Sequence, residues 1–216
     1  MLYPIYPQPY GSGLFLNVKR DFYRNYGRLN GGFSGADWGL YTAEMSTSST
    51  PYTEPWLRGT HSDVPAASRA VLHALELALD DLTKWTAGLT DAEVHAQPLG
   101  LTSIAFHLRH IARATDRILT YAEGNQLSDG QLAALKAENF GDGSLNELLI
   151  VVRFSFDLAA ERIRVLATAD LDTPRFVGRK HLPTFIGGAL IHVADHTQRH
   201  VGQVVTTAKV IKALRS

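Results

Sequence analysis

The chain contains no cysteine. That absence excludes a disulfide framework, a thiolate nucleophile and thiolate metal ligands. Any metal must be held by nitrogen and oxygen, which suits zinc, nickel, iron or manganese and argues against an iron–sulfur cluster. An excess of one charge is also missing, since 21 Lys and Arg balance 21 Asp and Glu. Nothing basic follows a nucleic-acid backbone, so no nucleic-acid partner is expected. No apolar run approaches the roughly 18–20 residues of a membrane span, so no membrane partner is expected. The first residues lack a basic stretch followed by an apolar one, which together with the missing cysteine favours a cytoplasmic location.

What remains is a chain able to bury a core, with 45% hydrophobic residues in 216. Its first 44 residues differ from the rest. Six of the eight tyrosines lie there, with Pro4, Pro7, Pro9 and seven glycines, and no helical apolar period is visible. Met45 is read as a natural start, with residues 1–44 an irregular, disordered extension and 45–216 the folded domain.

From residue 63 the pattern turns helical. Asp63-Val-Pro65 reads as a helix start, followed by apolar residues at helical spacing to about Leu89. Thr90-Asp-Ala-Glu93, Ser128-Asp-Gly-Gln131 and Ser144-Leu-Asn-Glu147 read as capping boxes. A second long helix starts at Thr102 or Ser103 and stops at Gly124, a third runs from 144 to 168, and a last one from 184 to 214. Residues 174–183 read as a loop, and no strand is convincing. Four amphipathic helices predict an all-α four-helix bundle. The connection of about 20 residues between helices two and three permits a crossover.

The chemistry concentrates in two helices. His192, His196 and His200 recur at every fourth residue, so they rise one turn at a time along one face of the last helix. His196 and His200 lie on the shoulder of its apolar arc, and His192 lies further towards the polar side. In helix two, His107 sits at the edge of the apolar arc and His110 just outside it, about 60° apart. One histidine from helix two with His196 and His200 meets the count of a catalytic metal, which takes three protein ligands and keeps one position open. Helical phase favours His107 as the third ligand. Asp116 and Asp195 are candidates to orient a ligand histidine. Arg109, Arg113, Asp116 and Arg117 read as a solvated face.

The segments Ser103-Ile-Ala-Phe-His107-Leu-Arg-His110-Ile-Ala-Arg and His196-Thr-Gln-Arg-His200-Val-Gly-Gln203 resemble the DinB/YfiT-like superfamily of metal-binding four-helix bundles. Glu54-Pro-Trp-Leu-Arg58 and Leu119-Thr-Tyr-Ala-Glu-Gly124 look like one of its subgroups. The resemblance covers residues 52–214 and none of the first 44. It implies a divalent metal, zinc or nickel, on one histidine of helix two and two of the last helix, which match His110, His196 and His200. Gly202 and Gln203 complete the matching motif, but Val201 stands where many members carry Arg, so a role tied to that Arg is in doubt. His107 is left as an alternative ligand or a general base, and Gln203 as its companion in the site. The resemblance further implies a homodimer acting on a small molecule. Two activities are implied, transfer of a low-molecular-weight thiol to an electrophile and hydrolysis by a metal-bound hydroxide. A non-catalytic metal-binding dimer is the third reading.

A chain beginning at Met45 is expected to fold and bind metal like the full chain. Aggregation of that shorter chain, or loss of its metal, in a side-by-side purification would make residues 1–44 part of the domain.

Overall fold

The computed structural model describes residues 51–215. The expectations for residues 1–44 and for a boundary at Met45 lie outside the described residues. The described chain is mostly helical, with six α-helices and one two-stranded sheet. In chain order these are α1 (Ala66–Thr86), α2 (Asp91–His95), α3 (Ile104–Ala122), α4 (Asp129–Lys136), α5 (Leu145–Leu166), β1 (Pro174–Val177), β2 (Leu182–Phe185) and α6 (Ile186–Leu214). Among the described residues no helix is long and apolar enough to cross a membrane.

Local chemistry sets the helix starts. Thr90, Ser128 and Ser144 each accept from the backbone amide three residues on, and Glu93, Gln131 and Glu147 reach back to close the box. Ser103 caps α3 through the amide of Phe106 at 3.2 Å. Gly124 follows the end of α3 at φ +84°, a conformation glycine adopts without Cβ strain. The start of α6 has no side-chain cap. Its first amides donate instead to the turn before the hairpin, Ile186 to Thr173 at 3.1 Å and Gly187 to Leu171 at 2.8 Å. Asp63 does not cap α1. Its carboxylate takes Arg164 at 2.6 Å, and Pro65 occupies the cap position.

The four long helices pack in a cycle, α1 and α3 each lying against both α5 and α6. Cross-helix hydrogen bonds give the directions. Gln198 reaches the carbonyl of Ala74 and Lys212 that of Trp85, so α1 and α6 run parallel. Thr207 reaches the carbonyl of Thr102 while His196 meets His110, so α3 and α6 run antiparallel. Ser155 bonds the carbonyl of Ala112 and Arg162 bonds Asp116 and Glu123, so α3 and α5 run parallel. Parallel neighbours need a connection that travels back the full length. Residues 125–143 do this, with α4 lying along α3. The shared interior holds Leu72, Leu82, Leu108, Ile111, Val152, Ile163, Leu190 and Val204, all 2% exposed or less. Each such side chain contributes about 1.5–3 kcal/mol by leaving water.

Two expectations are corrected here. Residues 174–185 are a hairpin rather than a loop, with Arg175 opposite Thr184 and Val177 opposite Leu182. Pro174 and Pro183 hide the strand pattern, and both are tolerated because a two-stranded sheet has only edges. The arginine face of α3 is not solvated. Arg109 and Arg113 are each 5% exposed, because the returning chain covers them. Arg113 donates to the carbonyl of Ala134 at 2.9 Å, and Arg109 to those of Gly141 at 3.1 Å and Glu138 at 3.4 Å. Burial first, then the Arg113 charge, pushes Arg109 down from its ordinary pKa.

Ser144→Ala removes the acceptor of one capping box. It is expected to cost about 0.5–2 kcal/mol in urea unfolding, with an unchanged slope. An unchanged midpoint would show that packing alone sets the start of α5.

Candidate metal centre

The antiparallel seam of α3 and α6 brings His110, His196 and His200 together, one ligand nitrogen from each lying within 4.8 Å of the others. All three side chains are half-buried. Nε2 of His110 stands 3.3 Å from Nε2 of His196. Ligands at about 2.0–2.1 Å around a tetrahedral zinc stand about 3.3–3.4 Å apart, so this pair already has the spacing of two such ligands. The ring of His200 lies 4.5 Å from that of His110 and 4.6 Å from that of His196, centroid to centroid.

The other ring nitrogens have partners. Nδ1 of His110 meets Oε2 of Glu138 at 2.7 Å, and the second carboxylate oxygen of Glu138 takes Arg117. Glu138 is 5% exposed. Burial pushes its carboxyl up, but hydrogen bonds from His110 and Arg117 and the Arg117 charge together outweigh this and hold it below the usual range. Phe106 stacks on His110, with ring centroids 5.4 Å apart and planes 13° apart.

His107 lies beside the trio rather than in it. It is 4% exposed, and its Nδ1 meets Nδ1 of His200 at 3.1 Å. Burial, then the neighbouring His200 and His110, lowers its pKa to about 4. Burial, then the same kind of crowding by His200 and His110, lowers His196 to about 4. His200 is also lowered, by burial and His110, against an opposing hydrogen bond that Gln203 accepts from the ring. Gln203 itself is exposed. Neutral imidazoles keep a lone pair for a metal.

The remaining candidates go elsewhere. His192 is exposed and pairs with Asp195 at 2.8 Å, so Asp195 orients no member of the trio. Asp116 pairs with Arg162 at 2.7 Å and accepts from Gln131. The residue that does hold a trio histidine is Glu138, which no local pattern marks. Only the path of residues 125–143 carries it to His110.

A second group, His61, His73 and Glu76, meets the same distance test at the start of α1. Its proton arrangement differs. Arg164 donates to Nδ1 of His61 at 2.7 Å, which leaves the ring proton on Nε2, and Nε2 donates to Glu76 at 2.6 Å. Both His61 nitrogens are thus used in a chain from Arg164 to Glu76, with a guanidinium beside them, while His73 meets Thr60 at 3.1 Å.

The family model of the DinB superfamily matches residues 74–204, more than half of the chain. The chain belongs to the DinB superfamily. The matched span contains His107, His110, His196, His200 and Gln203. No curated protein matches this DinB-superfamily chain.

The metal-free protein is expected to lose stability in acid. His107 and His196 have folded pKa values of about 4, below the ordinary 6.5, so between these values the unfolded chain binds more protons. Stability is then full above about pH 6.5 and falls as pH drops towards 4. Denaturant midpoints in chelator at pH 7.5, 6 and 5 check this, and a flat series would contradict the burial of these two rings.

Proposed function

We propose that this DinB-superfamily chain is a divalent-metal-dependent enzyme that transfers or uses a low-molecular-weight thiol on small electrophiles. The observation that carries the reading is the convergence of one nitrogen each from His110, His196 and His200 at a half-buried seam. Zinc or nickel fits a donor set of three imidazoles without thiolate. A divalent ion held by three neutral ligands keeps its full charge and supplies a Lewis acid that favours the anionic form of a bound thiol or water. We assign the four long helices to the four-helix bundle of this superfamily.

In this reading His110, His196 and His200 are the metal ligands. The contact of His107 with His200 supports a role in fixing that ring, and its low exposure and depressed pKa disfavour a general base near neutral pH. The exposed Gln203 borders His200 and is assigned to substrate positioning. A small-molecule substrate, a homodimeric state and a cytoplasmic location belong to the same proposal.

A hydrolase and a non-catalytic metal-binding dimer are the alternatives, and one experiment separates the three. Elemental analysis of the purified protein is followed by an electrophile panel with and without added thiols. The proposal expects bound metal and a rate that depends on thiol. Turnover without thiol favours hydrolysis, and bound metal with no turnover favours the binding role.

His196→Ala and His200→Ala are each expected to lower metal stoichiometry sharply, with helical circular dichroism largely kept. Metal retention in both variants would remove the ligand assignment. His110→Ala is expected to weaken metal binding more than His107→Ala, and the reverse order in a metal titration would make His107 the ligand.

A further inference from the structure

We infer that Glu138 is the positioning residue of the metal centre, holding His110 by Nδ1 and thereby making the returning segment 125–143 part of that centre. The inference rests on the metal reading above and concerns a residue outside the two histidine motifs. Nδ1 of His110 lies 2.7 Å from Oε2 of Glu138, and Nε2 of the same ring lies 3.3 Å from Nε2 of His196. A carboxylate accepts only, so the His110 proton sits on Nδ1 and the lone pair on Nε2 faces the other two histidines. The ring is thus fixed in the tautomer and direction that a metal requires.

Glu138 is itself fixed. Arg117 holds its other oxygen, and its side chain is 6% exposed. Its backbone carbonyl accepts from Arg109 at 3.4 Å. Both arginines stand on α3, the helix that carries His110, so one helix presents the ligand and also anchors the group that aims it. Phe106 stacks on the His110 ring. His110 and Arg117 are the partners that offset the burial of this carboxylate, which would be costly without them.

The test is zinc affinity by competition with a chromogenic chelator, for the full chain and three variants. Glu138→Gln is expected to weaken zinc by about 10–100-fold. Gln131→Ala loosens the same segment, since Gln131 closes the cap of α4 and bonds Asp116 and Thr120, but it leaves the Glu138–His110 contact alone. It is expected to lower the unfolding midpoint and leave zinc affinity within about twofold, an effect too small for a lost ligand partner. Equal loss of affinity in both variants would show that Glu138 acts only through folding and would overturn the inference. Unchanged affinity in Glu138→Gln would overturn it as well. If Glu138→Gln does not fold, Glu138→Asp keeps the charge and withdraws the carboxylate by one methylene, with the same expectation. His196→Ala separates the two levels. If it binds zinc like the full chain, the ligand assignment fails. If it loses zinc while Glu138→Gln does not, only the role of Glu138 fails.

Discussion

The register of α3 against α6 is the constraint on which the chemistry depends. Thr102 faces Thr207, His107 faces His200 and His110 faces His196 along one antiparallel seam. A slip of one residue turns a helix by about 100° and sends these rings apart. The register is set by side chains that do no chemistry. Ile104, Leu108 and Ile111 from α3 and Val193, Val201 and Val204 from α6 are buried beside the histidines. The site therefore inherits its geometry from close packing, and the polar groups refine it.

A second constraint follows from direction. Because α3 and α5 run parallel, the chain must return along α3 before α5 begins, and it returns over a row of arginines. Arg109, Arg113 and Arg117 stand one turn apart and would be expensive to bury alone. The returning backbone supplies carbonyls to the first two, and Glu138 supplies a carboxylate to the third. The same cover that satisfies these guanidinium groups carries Glu138 to His110. Structure and site are thus joined through one connection whose regular element is the short helix α4.

Much of this was legible in the sequence because it is local. The boxes at Thr90, Ser128 and Ser144 need only four residues each, and the structure places helices after all three. The glycine stop at Gly124 is equally local. The hairpin was missed because Pro174 and Pro183 break a strand pattern in a chain otherwise helical. The arginine face was misread because polarity on a helix says nothing about what lies over it. Between His107 and His110, helical phase pointed to the ring nearer the apolar arc. The group whose nitrogens converge is His110 with His196 and His200, off the arc centre on the side covered by the returning segment, and His107 lies beside it. Glu138 was out of reach, since its meeting with His110 spans 28 residues and depends on the path of the chain.

The way the arginines hold that path has a consequence for sequence variation. Arg109 and Arg113 grip main-chain oxygens, and every amino acid offers the same oxygen whatever its side chain. That grip makes no demand on the side chains at 134 and 141, although the burial of Ala134 and the positive φ of Gly141 set demands of their own. Position 138 has no such freedom, because there the partner is a side-chain carboxylate. The arginine grip constrains the course of the segment, and the carboxylate at 138 constrains its chemistry.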